Sequence, residues 1–362
     1  MKKKVLVVAS TSDHLRTFHI PYIEKLKETH EVYTMSRDVN EQFADFNIKF
    51  QKKIMSFRNF KIIGEIKKIL KENDFDVVFL NTSLAAFFVR AAIKFLKKKP
   101  KVINIVHGYL FGEKTNCFKR KAFLAAEKFV RKQTTNIVVM NNEDYDIVKK
   151  HKLCTGEVYK IQGMGINGNR FKKKPIKNTG LEEEINFSFI GELSSRKNQT
   201  FLIKFVKQLE KFGINANLNL LGEGSQKQKL EKQIKKLGLE NKVKLIGFVD
   251  DIETFINKSN YYICASKIEG LPFNILEAMF AGSVIFSSDI KGTVDLIEDF
   301  ENGVLFELGN MDDLINKFRL VKNNLTLQEK LRKNAKKTAE KYLLTEVFEG
   351  NSQLFEKFVN ED

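Results

Sequence analysis

The chain has 362 residues, 43% of them hydrophobic and 11% aromatic, with only 4 prolines and 20 glycines. This composition predicts a globular protein of two domains and excludes a long disordered or low-complexity chain. Residues 1–180 carry 37 basic and 17 acidic side chains (+20), whereas residues 181–362 carry 25 and 28 (−3), which together make the net charge of +17. The basic half suggests nucleic acid, an anionic membrane or a phosphate-bearing substrate as a partner, although a solvated lysine surface would look the same.

Short apolar runs alternate with helical patterns along the first half of the chain. This alternation predicts a parallel sheet with helices on both faces. The predicted strands are Lys4–Ala9, Glu31–Met35, Asp76–Leu80, Lys101–Val106 and Asn136–Met140. The predicted helices are Leu15–Lys27, Phe57–Lys71, Ala85–Leu96 and Lys119–Lys132.

The alternation breaks over Gly163–Lys177, where glycines, lysines and Pro175 predict a domain boundary, and then restarts. The predicted strands of the second half are Ile185–Ile190, Ala216–Leu221, Val243–Ile246, Tyr261–Ala265 and Val284–Ser287. Its predicted helices are Gln199–Phe212, Gln226–Leu237, Ile252–Asn257, Asn274–Ala281, Asp312–Asn323 and Leu327–Tyr342, before a tail at Glu346–Val359.

These elements predict an α/β fold of two Rossmann-like, doubly wound parallel-sheet domains that face each other across a cleft. We expect an N-terminal acceptor-binding domain over residues 1–165, with the tail 346–362 packed back on it. The C-terminal domain, residues 166–345, is expected to bind a nucleotide-sugar. Ligands of such sheets bind at the carboxyl ends of the strands, which directs attention to the loops there.

The stretch 266–279, SKIEGLPFNILEAM, follows a predicted buried strand and runs into a helix. Its turn offers free backbone N–H groups between Gly270 and Asn274, a place that suits a diphosphate. Glu269 and Glu277 stand on either side, where their carboxylates could accept hydrogen bonds from hydroxyls of a sugar and of a ribose. By spacing alone, a helix cap and a solvated carboxylate would be the better explanation of the pair.

Further motifs precede this stretch: FIGEL at 189–193, the pair Arg196–Lys197, LGEG at 221–224 and Gly247–Phe248. In this order and spacing they resemble the retaining glycosyltransferases of the GT-B fold, known as glycosyltransferase family four, most densely over residues 185–310. The resemblance implies that Arg196 and Lys197 stabilise the leaving nucleoside diphosphate. It also implies a donor site that includes Gly191, Gly222, Gly224, Phe248, Gly270, Leu271, Pro272, Phe273, Asn274 and Glu277.

His107 stands directly after a predicted buried strand, at the sheet edge where ligands bind. The family has a histidine there that contacts the donor sugar, so the resemblance gives His107 a catalytic role beside Arg196, Lys197 and Glu269. His14 and His19 lie on the first loop and helix, where we expect the acceptor. The phrase FHIPY at 18–22 resembles members that build capsules and exopolysaccharides.

No metal-ligand spacing is present in the sequence. It has no D-x-D at a strand end, and its 3 cysteines stand far apart, so we expect no metal, no histidine or cysteine cluster and no cofactor beyond the nucleotide-sugar substrate. The resemblance agrees, because enzymes of this fold use paired cations and helix N-termini in place of a metal.

The helical segment 57–70 interleaves cations with large apolar side chains, which suits a helix resting on an anionic leaflet and equally an ordinary core-packing helix. No segment is long enough to span a bilayer, and the apolar run after the N-terminal lysines is too short for a signal peptide. We expect a cytoplasmic protein, peripheral on the inner face of the membrane, that does not bind nucleic acid.

The leading hypothesis is a retaining hexosyl- or N-acetylhexosaminyltransferase. It would move a sugar from a UDP-sugar to a polyprenyl-diphosphate-linked glycan during capsule, exopolysaccharide or O-antigen assembly. Two alternatives stay open. One is a nucleotide-sugar epimerase of the same fold, which would release an altered sugar without an acceptor. The other is a non-catalytic protein that binds lipid or polymer, which would bind no nucleotide.

Overall fold

The structure, a computed structural model, describes residues 2–38, 43–51, 56–171 and 185–361. Contacts between residues divide the chain into two compact units. The first contains the residues up to Gly165 together with those from Thr345 onward, and the second is Ile166–Leu344. Of the predicted boundary segment Gly163–Lys177, residues 172–177 lie outside the described part of the chain.

The first unit contains a seven-stranded sheet in the order β3-β2-β1-β4-β5-β6-β7, with every neighbouring pair parallel. The strands are β1 Lys4–Val8, β2 Glu31–Ser36, β3 Phe46–Asn47, β4 Val77–Leu80, β5 Lys101–Val106, β6 Asn136–Val139 and β7 Val158–Lys160. The helices are α1 Ser12–Phe18, α2 Ile20–Lys27, α3 Phe57–Asn73, α4 Ser83–Ile93, α5 Cys117–Val130, α6 Asn142–His151 and the C-terminal α13 Leu344–Asn360.

The second unit has a six-stranded parallel sheet in the order β10-β9-β8-β11-β12-β13. Its strands are β8 Ile185–Ile190, β9 Ala216–Leu221, β10 Val243–Gly247, β11 Tyr261–Cys264, β12 Val284–Ser288 and β13 Val304–Phe306. Its helices are α7 Gln199–Lys211, α8 Lys227–Leu237, α9 Ile252–Asn257, α10 Phe273–Phe280, α11 Met311–Lys322 and α12 Leu325–Glu340. The predicted α/β fold of two Rossmann-like parallel-sheet domains is confirmed.

The central strands are buried along their whole length. β4, β6 and β11 read VVFL, NIVV and YYIC, and none of their residues is exposed. Strands covered by helices on both faces need such continuous apolar runs, because neither face meets water. This is the reason that these strands could be predicted from the sequence.

The predicted single helix Leu15–Lys27 is wrong, since the structure breaks it at His19 into α1 and α2. Pro21 explains the break: its ring lacks an N–H and would clash with the carbonyl group four residues earlier in a continuous helix. His19 therefore bridges the two helices, donating its N–H to the Leu15 carbonyl (2.8 Å) and accepting from Ile23 N–H (2.9 Å). The break turns the His19 side chain into the interior, where it is 2% exposed.

Helix α13 packs within the first unit. Its buried face contains Val347, Phe355 and Phe358. Asn351 Nδ2 donates to the Gly163 carbonyl (2.8 Å) and to the Tyr22 hydroxyl (3.1 Å). These contacts fasten the C-terminal segment to residues of the first unit.

Candidate active site

The carboxylate of Glu269 lies at the centre of an ion cluster in the second unit. Glu269 stands in the turn between β11 and α10 and is 7% exposed. Its Oε1 accepts a hydrogen bond from Lys197 Nζ at 2.7 Å, and its Oε2 accepts one from Arg196 Nη1 at 3.1 Å. We call these three residues the ion cluster.

Backbone contacts between two loops hold the ion cluster in place. Arg196 follows β8, and its carbonyl accepts from the Lys267 N–H at 2.9 Å, while its Nη1 also donates to the Ile268 carbonyl at 3.2 Å. Asn198 adopts a left-handed backbone conformation (φ 59°) and donates from Nδ2 to the Ala265 carbonyl at 3.2 Å. The loops after β8 and β11 are therefore joined, which fixes the two cations against the carboxylate.

The electrostatics of the cluster favour an ionised Glu269. Burial alone would raise the pKa of its carboxyl, but Lys197 and Arg196 outweigh that effect and hold the pKa below its ordinary value. Two cations and one carboxylate leave a net charge of +1. The Arg196 side chain is 35% exposed, against 10% for Lys197. The arrangement can thus attract an anion through Arg196 without moving the buried pair.

Two of the predicted donor-site glycines, Gly222 and Gly224, are required by contacts within the protein itself. A Cβ at Gly222 would lie 2.3 Å from the carbonyl oxygen of Gly191. A Cβ at Gly224 would lie 2.3 Å from the carbonyl oxygen of Leu193. The backbone also adopts φ +128° at Gly222, a region closed to most side chains. These glycines let the β8 and β9 loops touch, and their predicted contact with a nucleotide stays a prediction.

Gly292 is a site residue that the sequence reasoning missed. A Cβ there would lie 2.3 Å from the Gly270 carbonyl oxygen, in the turn of the double-glutamate stretch. Its φ of +82° is left-handed. A glycine shortly after β12 is the only signal in the sequence, and it identifies no particular contact.

The remaining predicted donor residues occupy different environments. Asn274 directs its amide inward, where Nδ2 donates to the Ile190 carbonyl and the Tyr262 hydroxyl, both at 2.7 Å. Leu271 and Pro272 are buried, and Phe273 and Glu277 are half-buried. Phe248 is 73% exposed, which is unusual for a phenylalanine and leaves its ring available to a ligand.

In the first unit, three histidines predicted for substrate contacts lie together. His19 and His107 place their Nε2 atoms 3.1 Å apart, and the ring centroids of His14 and His107 are 4.5 Å apart. One ring nitrogen from each of the three lies within 4.8 Å of the others. The expectation that the chain has no histidine cluster is therefore wrong, because His107 comes 88 residues after His19 and spacing along the chain does not reveal the contact.

Burial keeps this histidine cluster uncharged. Burial lowers the pKa of His14 to about 4, although a hydrogen bond to the Asn81 backbone acts to raise it. Burial, with repulsion from the neighbouring rings, also holds the pKa values of His19 and His107 well below their ordinary value. At neutral pH the cluster offers neutral imidazoles, so it binds ligands through nitrogen lone pairs and N–H groups. The substrate contacts predicted for it stay predictions.

Exposed aromatic rings and cations share one region of the first unit. α3 packs against α4 and α4 against α5, and Lys94 lies 3.7 Å from the centre of the Phe129 ring, across from one helix to the next. We call the exposed phenylalanines on and directly after these three helices, with the cations beside them, the aromatic–basic face; they are Phe57, Phe60, Phe95, Phe118 and Phe129. Beside Phe60 lies a cavity of about 150 Å³, lined almost entirely by apolar side chains.

Family models match both units. Residues 170–338 match the family described as "Glycosyl transferases group 1", and residues 4–142 match "Glycosyl transferase 4-like". The chain is a glycosyltransferase. These matches fall on the elements that carry the ion cluster and the histidine cluster.

Similar proteins have been described in several bacteria. One relative is the Escherichia coli UDP-Gal:alpha-D-GlcNAc-diphosphoundecaprenol alpha-1,3-galactosyltransferase. It is 26% identical to this chain, over 72% of this chain and 71% of the relative. A second relative is the Staphylococcus aureus capsular polysaccharide biosynthesis glycosyltransferase CapM. It is 22% identical to this chain, over 98% of this chain and 97% of the relative. Among solved structures, Anabaena HepE in complex with UDP and glucose matches with a TM-score of 0.77 and 18% identity, over 98% of this chain and 100% of that one. The structural likeness supports the fold.

Among the described residues, no helix combines the length and apolar character needed to cross a bilayer.

Proposed function

We propose that this glycosyltransferase moves a hexose or N-acetylhexosamine from a UDP-sugar to a polyprenyl-diphosphate-linked glycan, with retention of configuration. The glycan is destined for a capsule, exopolysaccharide or O-antigen. The observation that carries the proposal is the ion cluster, in which Glu269 holds two cations beside the strand-to-helix turn that precedes α10.

The ion cluster supports a nucleoside diphosphate as the leaving group. When the bond between the sugar and the diphosphate breaks, negative charge grows on the leaving oxygen, and Arg196 and Lys197 would stabilise it. Both cations already have fixed positions because Glu269 pairs with each, so little reorganisation is needed when the diphosphate binds. We propose that this site needs no metal and that the departing diphosphate takes the proton of the acceptor hydroxyl.

The half-buried Glu277 and the turn at 270–273 complete the donor site in this proposal. Glu277 would accept hydrogen bonds from the ribose hydroxyls, and Glu269 with the turn would position the sugar. Selection of UDP is supported by the Escherichia coli relative, which is a UDP-galactose-dependent enzyme by name, and by the structural neighbour HepE, which was solved with UDP bound.

The lipid-linked acceptor is supported by relatives. The Escherichia coli relative acts on a diphosphoundecaprenol-linked sugar, as its name states, and so does a Campylobacter jejuni relative that is 29% identical over 51% of this chain. An acceptor of that kind lies in the membrane, so we also propose that the protein works in the cytoplasm at the inner membrane face.

The aromatic–basic face is our candidate for the membrane contact. Phe57 is 87% exposed and Phe118 is 79% exposed, and exposed lysines and arginines stand close to both residues in the sequences of α3 and α5. Aromatic rings that enter the headgroup region beside cations that pair with anionic lipids are the two signals of peripheral binding. The neighbouring cavity suits a hydrocarbon segment of a lipid.

The donor proposal is tested by titrating the purified protein with UDP, GDP and ADP by calorimetry, without added metal. We expect micromolar binding of UDP alone. Arg196→Ala and Glu277→Ala should each weaken it by about 10- to 100-fold, because each removes a charge-assisted hydrogen bond. Lys236→Ala, which removes an exposed cation on α8, is the matched control and should bind UDP as the wild type does.

The outcomes separate the alternatives. If the protein preferred GDP, the proposed donor would change from a UDP-sugar to a GDP-sugar, and the proposal of a sugar transferase would stand. Release of UDP with an altered free sugar, in the absence of an acceptor, would favour an epimerase. Failure to bind any nucleotide would overturn the proposed donor site and favour a non-catalytic lipid- or polymer-binding protein.

The membrane contact is tested by sedimentation with vesicles of neutral lipid, with and without anionic phosphatidylglycerol. We expect binding only to the anionic vesicles, weakened by salt, and reduced in the double variant Phe57→Ser and Phe118→Ser. Phe212→Ser is the control, since Phe212 is 50% exposed in the second unit. Equal loss in the control variant would remove the aromatic–basic face from the proposal.

A further inference from the structure

Three of the five histidines of the chain meet in the histidine cluster of the first unit. We propose that His14, His19 and His107 form a binding site for a single divalent transition-metal ion, zinc foremost. The resemblance gives His107 a contact with the donor sugar, but the donor proposal assigns the diphosphate to the ion cluster, so the metal site does not depend on that proposal.

The geometry is close to that of a three-histidine metal site. Two nitrogens bound to one tetrahedral zinc ion at about 2.05 Å lie about 3.3 Å apart, and the Nε2 atoms of His19 and His107 are 3.1 Å apart. A ring nitrogen of His14 lies within 4.8 Å of the others. Binding would require the His14 nitrogen to move closer to the other two, and the ion would replace the present contact between the His19 and His107 rings.

His14 has one buried ring nitrogen that is available as a metal ligand. Among the described residues, none forms a hydrogen bond with its buried Nε2 atom. Its ring forms a hydrogen bond with the backbone of Asn81, and since no described residue pairs with Nε2, Nδ1 is the nitrogen that takes part. A donating Nδ1–H leaves Nε2 as the nitrogen with the lone pair, and such a contact is the usual second support of a metal-bound histidine.

The backbone holds the three side chains at separate, well-defined points. His107 follows the buried strand β5, His14 lies within α1, and His19 stands at the break that Pro21 imposes between α1 and α2. Rigid elements, rather than one flexible loop, thus carry the ligands, which limits the entropy lost when an ion binds.

The chemistry of the ligand set selects the ion. Uncharged imidazoles suit zinc and its first-row neighbours and are poor ligands for magnesium or calcium, which prefer oxygen. Three protein ligands leave a fourth tetrahedral position for water or for an oxygen atom of a bound molecule. Without an ion, either His19 or His107 donates to the other, and the His14 nitrogen keeps the cost of burial without a hydrogen bond.

The test uses the full-length chain without a histidine tag, freed of metal with a chelator and then dialysed. Zinc is added in competition with a chromophoric chelator, and Co²⁺ is added in parallel as a spectroscopic probe. We expect one zinc ion per chain with a dissociation constant below about 10 µM, and the intense visible absorption of tetrahedral Co²⁺. X-ray absorption of the zinc-bound protein should show imidazole ligands.

Variants then locate the ion. His14→Ala and His19→Gln should each weaken zinc binding by at least about 10-fold and abolish the Co²⁺ absorption. His30→Ala and His151→Ala are matched controls, since these two histidines lie outside the cluster, and both should bind zinc as the wild type does. Circular dichroism confirms that each variant is folded.

Absence of zinc binding by the wild type would overturn the proposal, and so would unchanged affinity in a folded His14 or His19 variant. The X-ray absorption result for the wild type keeps the test decisive if those variants do not fold. Arg196→Ala separates the two proposals, because it should weaken UDP binding and leave zinc binding unchanged.

Discussion

The ion cluster of the second unit and the histidine cluster of the first both gather ionisable side chains in buried surroundings, but they are held together differently. In the ion cluster, opposite charges pair at 2.7 Å and 3.1 Å, so each member requires the others. In the histidine cluster, three like groups avoid repulsion only because burial keeps them neutral. One cluster is complete within the protein except for its exposed arginine, whereas the other retains a nitrogen without a partner among the described residues.

The two clusters should therefore respond differently to substitution of one of their residues. Removing the charge of Glu269 leaves the buried Lys197 without its partner, which costs far more than the pair contributes. Removing a neutral ring from the histidine cluster leaves at most one unpaired hydrogen-bonding group. We therefore expect equally small chemical changes to have unequal effects in the two places.

The largest expected effect follows from Glu269→Gln. The substitution keeps the shape of the side chain and removes the charge that pairs with Lys197, which is 10% exposed. We expect unfolding to become easier by about 3–5 kcal/mol, the cost of breaking a buried ion pair by removing one partner. Denaturant unfolding measures this change.

Lys330→Ala is the control, because it breaks the exposed ion pair of Lys330 with Glu301 at the surface. If Glu269→Gln lowered the free energy of unfolding by as little as Lys330→Ala does, water would have to reach the ion cluster. Sugar transfer should be lost in the same Glu269→Gln variant when it is assayed below its unfolding range.

The pH dependence of the same variant sharpens the comparison. The folded-state pKa of Glu269 is lowered, so its contribution to stability is present above its unfolded value of about 4.5 and is lost as the pH falls through the folded value. The stability difference between wild type and Glu269→Gln should therefore narrow as the pH falls below about 4.5. Unfolding curves of both proteins at a series of pH values measure it, and a constant difference would contradict the assigned cause.

A middle-sized effect is expected from Gly222→Ala. The new Cβ would lie 2.3 Å from the Gly191 carbonyl oxygen, at a backbone φ of +128°, and we expect a cost of about 2–3 kcal/mol. Gly213→Ala is the matched control. Its φ is +67° and no described atom lies within 4 Å of the added Cβ, so only the backbone cost of about 1 kcal/mol remains. Equal losses in both variants would mean that the β8 and β9 loops separate easily.

The two clusters also differ in how far the sequence could predict them. The residues of the ion cluster belong to motifs that follow predicted strands, and such strands are visible as continuous apolar runs. The motifs identified Arg196, Lys197 and Glu269 as residues of one site, but not that Glu269 pairs with both cations. Charge pairing depends on side-chain positions that no spacing rule provides.

The histidine cluster could not be predicted as a unit. His19 stands at the break that Pro21 imposes on a helix that periodicity alone would continue, and His107 comes 88 residues later in the chain. Short or polar elements were missed for a related reason. β3 and β13 have 2 and 3 residues, too few for a periodic pattern, and the sequence NEDYDIVKKH of α6 has few apolar positions.

The smallest expected effect is that of His14→Phe in the metal-free protein. Phenylalanine keeps a ring of similar size and removes the buried Nε2 atom, which no described residue pairs with, so it removes a cost of burial. It also removes the hydrogen bond to the Asn81 backbone, which opposes that gain. Since both terms are of the order of 1 kcal/mol, we expect the free energy of unfolding to change by less than about 1 kcal/mol. Chemical denaturation after chelator treatment measures it, and a loss as large as that of Glu269→Gln would mean that the His14 ring contributes to the fold through contacts beyond these two.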